Sequence, residues 1–474
     1  MYPFYASFFV CLFLSMHAAA KAPEVIIDQF CSSCHGDSGQ AGNLLTSEYQ
    51  HVNTVEAMMD LIKNGRTDLG MPAFNDVLSQ TELKQLSHYL FNHASSEKDV
   101  SNKAALLLNP RQIGLVKSAQ GHVFIVEKIV EREGVFWSVD FFPNGDVLIA
   151  QRNGTLWRES DGELTQITGI PAVLAKGQGG LLDAKFHPDY KQNGWVYLSY
   201  SEDKGVKRFG RTASMTGVVR GQIRDNKWVN QQVIYSADND LHIAARQHYG
   251  SRFVFKNGYV YFSIGDRGQK DQAQDLSRAN GKIMRLHDDG RTPKDNPFIG
   301  TQGALPHIWS YGHRNPQGMA INPNTGDVWS AEHGPKGGDE INLIEKAHNY
   351  GWPVITYGVN YSGTKITDKT HMDGMEQPKH YWTPSIAVGD IDFVDSEMFY
   401  KWQGALLVAS LKSQELRLVR VKGTEVISDD VVLSGVARIR EAQIAPDGSI
   451  YLAANSRKTG KAQILRLVVV EDDK

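Results

Sequence analysis

Cysteine is scarce in this chain: there are three among 474 residues, Cys11, Cys31 and Cys34. One lies in an apolar leader and two share one motif, so no disulfide framework is available and the fold must rest on its core. Charge imbalance is lacking as well. The formal net charge is −3, which removes any electrostatic case for nucleic acid or an acidic membrane surface as partner. Long apolar runs are absent beyond the leader, so nothing after it is expected to span a bilayer. Residues 1–20 contain no Lys, Arg, Asp or Glu, and an apolar run at 8–14 precedes Ala18-Ala19-Ala20. That pattern reads as a secretory signal peptide with a small-residue cleavage site. The alternative is an uncleaved anchor helix, for which the run is short. The expected mature protein is periplasmic or secreted, with no membrane span after signal removal.

The length suggests two or three domains. The 44 glycines and 18 tyrosines suit an all-β protein with many turns. Near the N-terminus stands a different signal, Cys31-Ser32-Ser33-Cys34-His35. Two thiols two residues apart reach both haem vinyl groups, and the following histidine points its imidazole at the iron. A redox dithiol would need a βαβ context, and a structural zinc would need further ligands. The second axial ligand is expected to be Met71, in a loop where Pro72 biases it to extended backbone. Met58 and Met59 recur at helical spacing and read as core. Ser79-Gln80-Thr81-Glu82 is a capping box that opens a closing helix. An all-α cytochrome c domain is therefore expected over 22–95, followed by a polar linker over 96–120.

From 121 to 474 one phrase recurs six times: an apolar pair flanking a polar residue, a turn with Pro or Gly, then an alternating strand. Val139-Asp140-Phe141 with Val147-Leu148-Ile149 is the first copy, and Ile444-Ala445-Pro446 with Ile450-Tyr451-Leu452 is the last. Repeated hairpins at uneven, blade-like intervals predict a six-bladed β-propeller, with the longer copies donating loops to one face. A β-sandwich would not explain so many copies.

Polar clusters follow these strands. They include Gly177-Gln178-Gly179-Gly180, Gln247-His248, Gly312-His313-Arg314-Asn315-Pro316-Gln317-Gly318, Glu332-His333-Gly334-Pro335, Asp339-Glu340-Ile341-Asn342, Asn349-Tyr350-Gly351-Trp352-Pro353, Lys412, and Arg438-Ile439-Arg440. Two arginines alternating on a strand, with a lysine on a loop, suit a polyanionic ligand held by forked hydrogen bonds; any one alone reads as a surface salt bridge. Asp339 and Glu340 offer oxygen ligands to a hard cation such as calcium, or form a solvated turn.

Together these clusters resemble the soluble quinoprotein glucose dehydrogenases and aldose sugar dehydrogenases, over about residues 120–470. The resemblance implies an enzyme that uses pyrroloquinoline quinone (PQQ) and Ca2+. It implies His248 as the base that takes the sugar C1 hydroxyl proton, and Arg314 beside the reactive quinone oxygen. Gln178, Asn315, Lys412, Arg438 and Arg440 match residues that hold the quinone. The backbone carbonyls of Gly334 and Pro335 match calcium ligands, and Glu340 and Tyr350 match a second calcium site. Gln247 departs from the Asp that precedes the base in the glucose dehydrogenases, and 356–372 does not align. Tyr381-Trp382-Thr383-Pro384 offers an aromatic wall for a sugar, or is a packed loop. Arg314, Arg438 and Arg440 are expected to oppose protonation of His248.

The expected activity is oxidation of an aldose to a lactone, with electrons passed to haem c on Cys31, Cys34, His35 and Met71. They would leave to an external cytochrome, copper protein or respiratory-chain component. Two rivals are a haem-d nitrite reductase, which would need more blades and a propeller iron ligand, and a non-catalytic sugar-sensing propeller with haem.

Overall fold

The computed structural model describes residues 23–31, 35, 54–66, 71–90 and 111–472. The leader, Cys34 and most of the expected linker lie outside the described residues. The chain divides into two compact units, Met1–Leu108 and Asn109–Lys474.

The described residues of the first unit are mainly helical. Val55–Asn64 starts where Thr54 Oγ1 accepts the Ala57 N–H at 3.1 Å. A second helix covers 80–90. Its capping box forms as expected: the Ser79 N–H donates to Glu82 Oε2 at 2.9 Å and the Glu82 N–H donates to Ser79 Oγ at 3.3 Å. The apolar faces of the two helices meet in one core of Met58, Ile62, Leu83, Leu86 and Leu90 with Ile26, Phe74 and Leu78. Met58 is therefore a core residue. Cys31 and Met71 both border this same cluster.

The second unit is a six-bladed β-propeller. Five sheets have four strands and the sixth has five. Each copy of the repeated phrase lies on the first two strands of one blade, as in Phe136–Phe141 with Val147–Gln151 and Arg438–Ile444 with Ile450–Asn455. The turns between them use left-handed glycines, Gly145 at φ 91° and Gly448 at φ 84°. Second strands such as Val147–Gln151 and Leu406–Ser410 are buried along their whole length, because blades cover both faces of each other.

The ring is closed by pairing of the two ends of the unit. His122–Glu133 runs antiparallel to Lys461–Asp472 in the last blade. Gln112–Lys117 then adds an outermost strand to His122–Glu133. This corrects the expected linker of 96–120 and the expected propeller start at 121. Gln112-Ile113-Gly114-Leu115-Val116-Lys117 has strand-forming residues and no turn signature, so it pairs with the open edge beside it.

The polar residue in the repeated phrase has a definite use. A carboxylate on the first strand of one blade accepts a backbone N–H from the first strand of the next. Asp140 takes Phe186 N–H at 2.7 Å, Asp183 takes Phe253 N–H at 2.9 Å, Asp392 takes Ile444 N–H at 3.2 Å, and Glu441 takes Val139 N–H. Buried Arg252 gathers four blades besides its own neighbourhood on the third. Its Nε donates to Gln317 O at 3.0 Å and lies 3.1 Å from Asp390 Oδ1, and its Nη1 reaches Asp183 at 3.1 Å and Glu441. Burial of so much charge is tolerable only because it is paired.

Candidate active site

Neighbouring strands in a blade are antiparallel, so the start of each first strand and the end of each second strand share one end of the propeller. Gln178 precedes Leu181–Phe186, His248 precedes Phe253–Lys256, and Arg314 with Asn315 precedes Pro316–Ile321. Gly334 and Pro335 follow Val328–Glu332, Lys412 follows Leu406–Ser410, and Arg438 and Arg440 open Arg438–Ile444. The topology thus brings these residues to one face.

His248 sits in left-handed backbone at φ 55°, unusual for a side chain of its size. Its N–H donates to Gln178 Oε1 at 2.7 Å. The loop is also gripped by buried Arg267, which donates to Gln247 O and to Ala245 O at 2.9 Å and stacks on Tyr249 at 3.4 Å. The imidazole Nδ1 lies 2.6 Å from Asp266 Oδ1. Asp266 is 1% exposed. It also accepts the Gly268 N–H at 2.7 Å and the Trp352 indole N–H at 2.8 Å. Burial pushes the Asp266 carboxyl up, but bonding to His248 and the charge of Arg314 outweigh it, so the carboxyl titrates below its usual range. Burial pushes His248 below its usual value; Asp266 opposes this, and Arg314 and Arg267 reinforce it. The result is a neutral imidazole beside an ionised carboxylate. Nδ1 then carries the proton and Nε2 is the basic atom. Arg438 and Arg440, expected to act on His248, instead act with Arg314 on His333, which burial pushes well below its usual value.

Beside this pair lies uncompensated positive charge. Arg314 is 6% exposed; its Nη1 donates to His333 O at 2.9 Å, while its Nε is buried with no partner among the described residues. Arg440 lies 4.1 Å over the Trp137 ring, and its Nε is likewise buried and unpartnered. Burial, then Arg438, Arg152, Arg252 and Arg457, holds its guanidinium down to about 9. Arg438 donates to Leu411 O at 2.8 Å, which fixes the loop carrying exposed Lys412. Asn315 Oδ1 accepts the Gly250 N–H at 3.2 Å, leaving its NH2 group for a ligand. Unpaired buried guanidinium groups are costly without an anion, so a quinone bearing carboxylates fits this donor set.

A cavity of about 10 Å3 is bordered by Glu332, Gly334, Pro335, Glu340, Tyr350 and Arg314. That is room for one ion or water. Asn342 Nδ2 bridges the two carboxylates at 3.2 Å to each. Burial and then Glu332 push Glu340 up to about 8, and a hard cation would relieve both causes. Asp339, offered beside Glu340 as a cation ligand, is corrected here. Its Oδ1 accepts the Gly334 N–H at 2.8 Å, and its Oδ2 accepts Ser385 Oγ–H at 2.7 Å and the Ala387 N–H at 2.6 Å. Strand alternation turns it inward to pin loops. The Tyr350 phenol donates to Leu343 O and accepts the Glu345 N–H, so only its carbonyl is available to an ion. The aromatic wall also needs correction: Trp382 is buried with its indole N–H on Asp429 at 2.8 Å. Tyr381 alone is turned out, stacked on Tyr357 at 3.8 Å.

In the first unit, Met71 and Arg66 exchange backbone hydrogen bonds of 2.9 Å in both directions. That places Met71 against the core cluster that Cys31 borders.

Residues 134–466 match the family profile described as glucose/sorbosone dehydrogenase. The aldose sugar dehydrogenase of Escherichia coli (strain K12) is 41% identical over 323 residues, covering 67% of this chain and 86% of that protein. The chain belongs to the glucose/sorbosone dehydrogenase family. Residues 18–90 match the profile described as cytochrome c oxidase, cbb3-type, subunit III, so this member of the family carries a cytochrome c domain at its N-terminus. The quinoprotein glucose dehydrogenase B of Acinetobacter calcoaceticus is 30% identical over 52% of this chain and 55% of that protein. Among solved structures, the E. coli aldose sugar dehydrogenase in its apo-form superposes with a TM-score of 0.67 at 37% identity, over 73% of this chain and 99% of that one. The PQQ-bound aldose sugar dehydrogenase of Streptomyces coelicolor gives 0.58 at 25% identity, over 75% and 98%.

Asp266, Arg267 and Trp352 were missed as site residues. A usable signal existed for the first two: Gly265-Asp266-Arg267-Gly268 directly follows Tyr259–Ile264, the second strand of its blade, and so falls at the same end as His248.

Proposed function

We propose that this protein is an exported quinohaemoprotein that oxidises the C1 hydroxyl of an aldose to a lactone. It would use PQQ, calcium and covalent haem c, and would pass electrons to an external cytochrome, copper protein or respiratory-chain component. The observation that carries this reading is the neutral, Asp266-bound His248 standing beside buried Arg314 and Arg440, whose Nε atoms have no partner among the described residues. PQQ supplies a hydride acceptor when bound, and haem supplies a one-electron relay.

The chain's own residues account for the rest. His248 Nε2 accepts the proton of the C1 hydroxyl as the C1 hydrogen leaves with its electron pair. Asp266 keeps Nδ1 protonated and stabilises the imidazolium that forms. Arg314, its Nε unpartnered, donates where negative charge develops. Lys412, Arg438 and Arg440 would hold the quinone carboxylates, with Gln178 and Asn315 beside them. Gly334, Pro335, Glu340 and Tyr350, which the resemblance matches to two calcium sites, border one cavity and would hold calcium there through the Gly334, Pro335 and Tyr350 carbonyls and the Glu340 carboxylate. Cys31, Cys34, His35 and Met71 would hold the haem in a domain over 22–95, after removal of the leader at 1–20. Tethering the relay to the oxidising domain keeps it at high effective concentration. Among the described residues no helix is long and apolar enough to cross a membrane.

The test is dye-linked oxidation of a panel of aldoses by the purified full chain, with and without added PQQ and Ca2+. The reading requires turnover that depends on both. Sugar binding without turnover in the reconstituted protein would refute it.

A further inference from the structure

Trp352 connects parts of the site that no motif of the sequence joins. It is 8% exposed. Its backbone N–H donates to Gly312 O at 2.9 Å, and its carbonyl accepts Gln274 Nε2–H at 2.8 Å, so the residue is fixed at both ends of its peptide unit. Its indole N–H donates to Asp266 Oδ2 at 2.8 Å, while Asp266 Oδ1 faces His248 Nδ1 at 2.6 Å. The Arg314 guanidinium lies 5.4 Å from the centre of its ring.

A carboxylate can rotate about its terminal bond, which has no strong staggered preference. The Gly268 N–H holds Oδ1, but among the described residues Oδ2 has a single donor, the indole. We infer that Trp352 is a positioning residue for the proton-accepting histidine: its N–H fixes the rotation of Asp266, and thereby the orientation and basicity of His248. The inference rests on His248 being the base, as proposed above. An ionised carboxylate that loses one of its donors becomes a stronger acceptor toward its remaining partner. Without the indole N–H, the Asp266 charge falls more heavily on His248 and favours the imidazolium. The charged and titratable groups facing the imidazole are Asp266, Arg314, Arg267 and His333, and a change at 352 substitutes none of them.

The test uses Trp352→Phe in the full chain, and a second variant with 3-benzothienylalanine at 352, which keeps the bicyclic shape and lacks only the N–H. The first readout is the pH titration of the His248 ring, followed by 15N NMR without sugar. The expected result is that His248 takes up its proton at higher pH in both variants. The second readout is the pH profile of kcat/KM for reconstituted enzyme. Activity on the acid limb should fall about tenfold, the equivalent of one pH unit, with the high-pH plateau changed by only a few-fold. An additional Asp266→Asn change should erase the difference between Trp and benzothienylalanine. A His248 ring that titrates as in wild type in both variants overturns the inference. A shifted ring titration with an unshifted rate profile leaves the positioning standing and refutes His248 as the base.

Discussion

Replacing Arg252 with Met removes the guanidinium that ion-pairs with Asp183, Asp390 and Glu441. Methionine fills similar volume, so the loss is of charge and forked donors. Breaking a buried ion pair typically costs about 3–5 kcal/mol, because the partner charges stay behind. Unfolding entropy of about 2 cal/mol/K per residue turns about 4 kcal/mol into a fall of about 5 °C in Tm for a unit of this length. The pH dependence adds a sharper test. Burial holds Asp390 up to about 8 and Glu441 well above its usual range, with Arg252 opposing both shifts. A carboxyl whose value is raised on folding favours the fold at low pH, and that contribution is lost as pH rises through the folded value. Without Arg252 the folded values rise further and the loss continues to higher pH, so the gap between variant and wild type should widen as pH passes the wild-type folded value, from pH 6 to pH 9. Thermal melts followed by near-ultraviolet circular dichroism at those two values measure it. A gap under 1 °C at pH 9, or one equal at both, would refute the account of Arg252 as the hub of the ring.

His248→Gln should slow reduction of bound PQQ by sugar about 10²–10⁴-fold in stopped flow, while wild-type activity should fall on the acid side only below the usual histidine range, because the depressed imidazole stays neutral until then. Cys31→Ala with Cys34→Ala should abolish covalent haem, seen as loss of haem-stained protein, and leave dye-linked sugar oxidation within a few-fold. Met71→Ala should keep the haem attached and lower its reduction potential in a redox titration, since the thioether is lost. Glu340→Gln removes the buried charge that burial and Glu332 oppose; it should weaken the Ca2+-dependent rise in Tm and leave the Tm in chelator unchanged or higher.

The architecture was legible because a propeller repeats its local chemistry. All six copies of the phrase mark the hairpin between first and second strands, where an apolar pair, a turn and an alternating strand must coincide. Gln112–Lys117 was not legible, because it belongs to no repeat: it pairs with His122–Glu133 only because the ring leaves an edge there. In the site, residues carried by motifs arrived at one face together. Those whose role depends on side-chain direction did not separate in advance. Asp339 and Glu340 are adjacent and alike in chemistry, yet one pins loops and the other borders the cavity, as strand alternation dictates. Tyr381 and Trp382 divide the same way. Asp266 was hidden for another reason: its meaning comes from His248, 18 residues away, and from Trp352, 86 residues away.

The charge along the propeller axis explains why pairing patterns mislead here. Midway, Lys185 and Arg252 face Asp140, Asp183, Asp390, Asp392 and Glu441, so acids outnumber bases, and burial raises several of those acids. At the loop end the excess reverses: Arg314, Arg438 and Arg440 depress His333, and Arg438, Arg152 and Arg457 depress Arg440. The acids in the middle are neutralised by protons and by Arg252, within the protein. The cations at the end have no such internal remedy, because a guanidinium does not shed its proton near neutral pH. Their cost is recovered only when an anion binds the folded state, which by mass action stabilises that state in proportion to the logarithm of ligand concentration. Among the described residues, the site is accordingly marked by guanidinium atoms without partners, Arg314 Nε and Arg440 Nε.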